Sequence, residues 1–201
     1  TYSSGASRQR YPFPVHRISR AIPLPVRLVI ALLEVIRAAA PSDLIYCNGL
    51  MLPSVLAGIL LRKPLVMKVE GDFAWERASN LELTSDSIAA FQARRQSWKA
   101  EVLRGVRNWC LKRSAAVITT SSFLAGLIRQ WGFAGRVEVI SNAVEENFGE
   151  EAAELTREDC RTRLGFPNKR IVVSAGRLVS WKGFREVVLL ARALGPETGV
   201  I

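Results

Sequence analysis

Residues 43–72 read DLIYCNGLMLPSVLAGILLRKPLVMKVEGD, two apolar runs of strand length (43–47 and 64–70) on either side of a helical pattern at 53–62. This strand–helix–strand order is typical of parallel strands joined by a crossover helix. The uncharged part of the stretch approaches the ~18 apolar residues that raise the question of a membrane span. Polar and helix-breaking residues (Asn48, Gly49 and Pro53) interrupt it, so we predict no transmembrane segment.

The same alternation continues along the rest of the chain. It predicts an α/β fold with a doubly wound, Rossmann-like parallel sheet. The helix expected at 25–40 is apolar around most of its circumference, so we expect it to be buried, the alternative being a position at a membrane surface. Further strands are expected at 115–119, 136–140 and 170–175, and further helices at 86–113, 122–131, 157–164 and from about 182.

The chain divides by composition into three parts. The acidic, polar stretch within residues 145–168 resembles a linker, and it separates residues 1–144 from the start of a second domain at 169–201. Neither a signal-peptide pattern nor an initiator Met opens the chain, and it stops on an apolar pair, so we interpret both ends as cuts through a longer protein.

The net charge of +10 is concentrated in three blocks. Residues 1–40, 81–120 and 161–201 carry +5, +4 and +6, whereas residues 121–160 carry −5. Such basic surface suits nucleic acid, an anionic membrane leaflet or phosphorylated substrates. Three cysteines without a CxxC pair, together with a single histidine, argue against a metal site and favour a reducing compartment.

Small or polar residues follow every predicted strand. Because the carboxyl ends of parallel strands share one edge of a sheet, these residues predict a ligand cleft there, although turn formation favours the same residue types. The pairs are Asn48-Gly49, Gly71-Asp72, Thr120-Ser121, Ser141-Asn142 and Gly176-Arg177.

The motif GDFAWERA (71–78) begins at one of these strand ends, with Gly71 and Asp72. The Asp72 carboxylate could accept a hydrogen bond from a sugar hydroxyl or act as a base. Arg77 could hold a phosphate, and Trp75 could stack on a sugar ring. The structural alternative is a loop fixed by an Asp cap and by an ion pair of Asp72 or Glu76 with an arginine.

The motif SAGRLVSWKGF (174–184) places Arg177 and Lys182 where a strand gives way to a helix. Gly176 allows close backbone approach, and a helix start adds free N–H groups, so the motif predicts a phosphate site. The alternative is two solvated cations. The sequence has no G-x-G-x-x-G, P-loop or G-x-S-x-G motif, which disfavours NAD, P-loop kinase and serine hydrolase chemistry.

Residues 43–193 resemble glycosyltransferase family 4, retaining enzymes that use nucleotide sugars and have two facing Rossmann-like domains, the GT-B fold. The resemblance lies in KVEGDFAWERA (68–78), VITTSSFLAGLIRQWGFAGRVEVISNAV (117–144) and SAGRLVSWKGF. It implies that the chain lacks the start of the first domain and most of the second. Where many relatives have a histidine, near the end of the second strand, this sequence has Glu70-Gly71-Asp72, so the catalytic role of Asp72 is a hypothesis from its position alone.

The resemblance also implies what the site would bind. Arg177, Lys182 and Gly176 would contact the donor diphosphate, and the first domain would face the acceptor. The charge of the basic N-terminal half, in turn, suits an enzyme on an anionic inner leaflet whose acceptor is a cell-envelope glycan or a lipid-linked saccharide. No cofactor or metal is expected, and the predicted location is cytoplasmic, with the basic surface resting on the inner face of the plasma membrane.

The alternative functions are a nucleic-acid-binding module, which we disfavour because few aromatic residues lie between the cations, and a catalytically silent fragment. The expected cleft residues are Asn48, Gly49, Gly71, Trp75, Glu76, Arg77 and Asn142.

Overall fold

A computed structural model describes residues 2–3, 12–143, 155–165, 170–195 and 198–200. The chain divides into two compact units, Thr1–Asn142 and Ala143–Ile201. The strands of the first unit are β1 (Tyr2–Ser3), β2 (Ile18–Ser19), β3 (Ile45–Asn48), β4 (Leu65–Val69), β5 (Ala116–Thr119) and β6 (Arg136–Val139). Its helices are α1 (Leu24–Ala39), α2 (Met51–Leu61), α3 (Phe73–Asn80), α4 (Ile88–Ala93), α5 (Trp98–Lys112) and α6 (Ser122–Gln130).

The main sheet has four parallel strands in the order β3-β4-β5-β6. In its register Cys47 lies beside Met67, Met67 beside Val117, and Val117 beside Val137. Each strand lies within a range predicted from the sequence or extends one residue beyond it, and the predicted α/β class with parallel strands is confirmed.

One face of this sheet carries the hydrophobic core. Side chains alternate between faces along a strand, and the buried ones come from every second residue, such as Ile45 and Cys47 or Leu65 and Met67. Helices α1, α2, α5 and α6 contribute apolar side chains to the same cluster, including Val55, Leu111 and Ile128. On the opposite face Tyr46 is more than half exposed.

Two cysteines, Cys47 of β3 and Cys110 of α5, lie in this core and are free thiols. Cys47 Sγ donates a hydrogen bond of 2.8 Å to the carbonyl oxygen of Gly49. Burial raises the pKa of both thiols, and that of Cys110 rises to about 11. Both side chains therefore remain protonated at neutral pH.

Helix α1 is less buried than the sequence predicts. Only Ala31 and Ala39 are buried, whereas Val29 and Leu33 on the outer side are 58% and 60% exposed. The helix packs on α2 and contacts β2, while the outer side that carries Val29 and Leu33 is exposed. Within that part, no helix combines the length and the hydropathy that a membrane crossing requires.

The predicted helix 86–113 is two helices, α4 and α5, separated by residues 94–97. The backbone of this segment is not helical, and its side chains bind Asp86. Arg94 Nε and Gln96 Nε2 donate hydrogen bonds to Asp86 Oδ2 at 2.7 and 2.9 Å. The Gln96 N–H donates to Glu101 Oε1 at 2.8 Å. Local bonds from side chains have therefore replaced the helical ones.

In the second unit, α7 (Arg157–Arg163) is followed by β7 (Arg170–Val172), a 3₁₀ turn (Ser180–Lys182), α8 (Phe184–Leu194) and β8 (Thr198–Val200). Strands β7 and β8 pair in parallel. Of the predicted linker, residues 145–154 and 166–168 lie outside the described residues. The predicted domain bounds at 144 and 169 stay predictions.

Candidate functional site

The polar residues after the strands of the main sheet lie at one edge because all four strands are parallel. Asn48 is the last residue of β3, and Gly49 follows with a φ of 90°, a conformation in which a side chain would be strained. Asn48, Gly49 and Asn142 are exposed. These three residues are therefore accessible to a ligand, as the sequence predicts for a cleft.

Asp72 starts helix α3 at the same edge and is fully buried. Its Oδ1 accepts hydrogen bonds from the Ala74 N–H at 2.9 Å and from Arg107 Nη1 at 2.6 Å. Its Oδ2 accepts one from Gln92 Nε2 at 2.8 Å. This geometry is that of the structural alternative, an Asp cap with an ion pair, although the arginine comes from α5 and not from the GDFAWERA motif.

Arg107 is the buried partner of Asp72, with only 2% of its surface exposed. Its guanidinium lies 3.8 Å from the ring centroid of Trp131, a cation–π contact, and its Nε donates to Asn108 Oδ1 at 3.0 Å. Desolvation lowers the pKa of this guanidinium, and the charge of Asp72 opposes that shift. The pair is thus a charged contact removed from water.

Gln92 of α4 connects Asp72 to Trp131 through its side-chain amide. Its Oε1 accepts a hydrogen bond of 2.9 Å from Trp131 Nε1, while its Nε2 donates to Asp72. We name Asp72, Gln92, Arg107 and Trp131 the buried polar network. It ties the start of α3 to α4, to α5 and to the residue after α6.

Sequence reasoning missed Arg107, Gln92 and Trp131. A signal for Arg107 existed, because Ala100, Leu103, Arg107 and Leu111 recur at the spacing of one helix face, and its other three members are apolar. A charged residue at such a position requires a buried partner of opposite charge. The identity of that partner depends on tertiary contacts.

The other residues of the GDFAWERA motif have different surroundings. Trp75 packs beside a second small core of Ala74, Ala78, Phe91 and Ala100, and its Nε1 donates to the Asp86 carbonyl oxygen at 2.9 Å. Arg77 is exposed, and Glu76 is half-buried. A Cβ added at Gly71 would clash with Glu76 Oε1, so the Glu76 carboxylate closely covers the Gly71 backbone.

Asp86 stabilises the loop between α3 and α4 through hydrogen bonds from Arg94 and Gln96, which lower the pKa of its carboxyl group from 3.8 to about 2. A carboxyl with a depressed pKa stabilises the folded state above its unfolded-state pKa and loses this effect as the pH falls. We expect Asp86→Asn to lower the free energy of unfolding at neutral pH, and the difference from wild type to shrink as the pH falls from 3.8 toward 2. Urea denaturation at several pH values measures it.

Asp43→Asn is the matched control, since Asp43 is an exposed aspartate before β3. We expect this variant to keep wild-type stability at neutral pH, because its side chain is exposed. A difference between Asp86→Asn and wild type that is as large at pH 2 as at pH 7 would contradict the assignment.

In the second unit the loop after β7 carries the predicted phosphate-binding residues. Arg177 and Lys182 are exposed. A Cβ added at Gly176 would lie 3.8 Å from Lys182 Cδ and 3.6 Å from Phe184 Cζ, so the Lys182 side chain passes close to the Gly176 backbone. The loop therefore folds back so that the Lys182 side chain lies beside Gly176, the residue before Arg177.

The loop also turns sharply before helix α8. The Val179 N–H donates to the Arg177 carbonyl oxygen at 2.8 Å, and the Lys182 N–H donates to the Val179 carbonyl oxygen at 3.1 Å. Gly183, with a φ of 71°, precedes α8 and has no side chain to cap its first N–H groups. Two exposed cations and an uncapped helix start thus follow β7 within one short segment, an arrangement suited to a phosphate.

Within the described ranges, no three His, Cys, Asp or Glu side chains come together as a metal site would require. The absence of a cofactor stays a prediction.

The chain matches a known family over residues 3–143, the glycosyl transferase 4-like domain. It therefore belongs to the glycosyl transferase 4-like family, as the sequence motifs predict. No curated protein matches the sequence.

Solved structures show the same fold. HepE from Anabaena, in complex with UDP and glucose, superposes with a TM-score of 0.64 at 22% identity, covering 93% of this chain and 46% of that one. The HepE complex with UDP-glucose gives a TM-score of 0.55 at the same identity and coverage. Sucrose-phosphate synthase from Thermosynechococcus elongatus gives 0.59 at 22% identity, covering 91% of this chain and 42% of that one. The chain thus spans less than half the length of these proteins.

Proposed function

We propose that the protein transfers a sugar from a nucleotide-diphosphate donor to an acceptor, with retention of anomeric configuration. The observation that carries this proposal is the loop after β7, where exposed Arg177 and Lys182 adjoin the uncapped start of α8. Membership of the glycosyl transferase 4-like family supports it, as do structural neighbours solved with UDP and UDP-glucose. The sugar in this proposal is a hexose.

Glycosyl transfer would need positive charge beside the leaving diphosphate, which Arg177 and Lys182 could provide. Breaking the bond between the anomeric carbon and the diphosphate places negative charge on the leaving oxygens while the sugar becomes oxocarbenium-like. A guanidinium and an ammonium aimed at those oxygens stabilise the transition state more than the ground state. They would supply the charge that a metal ion supplies in other transferases, so the proposed reaction needs no metal.

The acceptor in this proposal is a cell-envelope glycan or a lipid-linked saccharide bound in the cytoplasm. The accessible groups at the carboxyl edge of the main sheet, among them Asn48, Arg77 and Asn142, are the proposed acceptor contacts. Asp72 stays a predicted catalytic residue. Its carboxylate is buried and already accepts hydrogen bonds from Ala74, Gln92 and Arg107, which supports instead a role in positioning α3 and the residues beside it.

Incubating the full-length protein with a panel of UDP-, GDP- and dTDP-sugars tests the proposal. We expect release of one nucleoside diphosphate, in the presence of EDTA, with transfer to a saccharide acceptor. NMR of the product gives the anomeric configuration. Failure of every donor to bind or react, as measured by calorimetry and by product release, would contradict the proposed function.

A further inference from the structure

Helix α5 presents an apolar aromatic stripe to solvent on the side opposite Arg107. Trp98 is 73% exposed, Val102 56% and Trp109 36%. Together with Gly105, these residues recur at intervals of three or four, so they form one line along the helix. Neither hydrophobic core of the first unit includes a residue of this stripe, and two exposed tryptophans on one helix face are unusual.

Cations border the stripe. Lys99 Nζ lies 5.7 Å from the Trp98 ring centroid, and the Arg113 guanidinium lies 5.5 Å from that of Trp109. Lys112 is exposed beside them. The acidic residue of α5, Glu101, is paired with Arg104 at 2.7 Å. We name Trp98, Lys99, Val102, Trp109, Lys112 and Arg113 the basic aromatic face; its net charge is positive.

A pocket of about 440 Å³ adjoins this face where α2 and α5 end. Arg62, Lys63 and Arg113 line it, and Leu60, which is 65% exposed, lies beside it in the chain. Three cations around one pocket, with apolar side chains next to it, suit the phosphate of a lipid headgroup above an acyl chain. Arg113 belongs both to the pocket and to the basic aromatic face, so the two are continuous.

We propose that the basic aromatic face is the surface by which the protein binds an anionic lipid bilayer. Tryptophan is favoured at the boundary between headgroups and acyl chains, where its ring is apolar and its N–H remains hydrated. A helix with aromatic and aliphatic residues on its outward face and Lys and Arg alongside lies in the plane of that boundary. This inference does not depend on the donor chemistry proposed above, because the face lies on the outer side of α5.

Helix α1 offers the competing surface. Its outer side exposes Val29 and Leu33 to a similar degree, but it has no tryptophan. The segment around α1 also carries exposed cations such as Arg37, so charge alone does not separate the two surfaces, whereas tryptophan is the residue favoured at the headgroup boundary. The structure therefore favours α5.

Vesicle flotation of the full-length protein tests the proposal, with vesicles of phosphatidylcholine alone or with about one third phosphatidylglycerol. We expect binding to the anionic vesicles that weakens with salt, and Trp98→Gln/Val102→Gln to lower the partition coefficient by about tenfold or more. The triple variant Lys99→Gln/Lys112→Gln/Arg113→Gln should lose about fivefold per cation. The replaced side chains are exposed or at the surface, and circular dichroism confirms folding.

Val29→Gln/Leu33→Gln on α1 is the matched control, an equally exposed pair four residues apart. It should bind within about twofold of wild type. The proposal is overturned if wild type ignores anionic vesicles, if the α1 pair loses binding while the α5 pair keeps it, or if the α5 pair changes only the oligomeric state. Transfer to a water-soluble acceptor should be unchanged in the α5 pair, which separates this test from that of the proposed function.

Discussion

Replacing Arg107 by methionine is expected to lower the free energy of unfolding by about 3–5 kcal/mol, because breaking a buried ion pair leaves an uncompensated charge away from water. Asp72 and Arg107 are 0% and 2% exposed, and their side chains lie 2.6 Å apart. Arg107→Met also removes the cation–π contact with Trp131. Urea denaturation of the full-length protein, followed by circular dichroism, measures the change.

Two further variants separate the ion pair from simple loss of packing. Asp72→Asn should destabilise strongly, since it leaves Arg107 charged and buried, and Asp72→Asn/Arg107→Met should be more stable than the sum of the two single losses predicts. Arg113→Met, at the exposed end of the same helix, should change stability by less than about 0.5 kcal/mol. Additive losses in the double variant would show that the two side chains do not depend on each other.

Replacing Arg177 or Lys182 by alanine is expected to lower kcat by about a hundredfold or more, as removal of one group that stabilises developing charge typically does. Both side chains are exposed, so we expect the fold to be kept. Steady-state kinetics with the nucleotide sugar that the donor panel selects measures the loss. The KM for the donor should rise less than kcat falls, because the cations act mainly on the departing diphosphate.

Arg192→Ala is the matched control, an exposed arginine in the last turn of the same helix that begins after Gly183. It should retain wild-type turnover. If Arg177→Ala and Lys182→Ala also retained it, the assignment of these cations to the leaving group would be wrong, although family membership would stand.

Much of the fold could be predicted from local patterns. Strand-length apolar runs such as those ending at Cys47 and Val69 alternate with helical spacing, and this alternation determines a parallel sheet with crossover helices. The patterns could not show that Arg94 and Gln96 would bind Asp86 and so divide one predicted helix into two. That break depends on side-chain contacts that helix periodicity does not contain.

The candidate site was less predictable. Asp72 was identified because it follows a strand, but whether its carboxylate faces solvent or the interior depends on Arg107, which lies 35 residues further along the chain. Gln92 and Trp131, which complete the buried polar network, give no sequence signal of their own. By contrast, the exposure of Arg177 and Lys182 agrees with their local loop sequence, since glycines and a short turn keep them at the surface.

The two core cysteines give the protein an internal reporter of its own opening. With a pKa of about 11, Cys110 at pH 7 is a thiolate in a fraction on the order of one in ten thousand, and burial raises the pKa of Cys47 as well. Alkylating reagents attack the thiolate, so labelling of either buried side chain requires the first unit to open around it. The rate of labelling at these two positions, measured separately from the partly exposed Cys160, would therefore report how often the first unit opens, without any engineered cysteine.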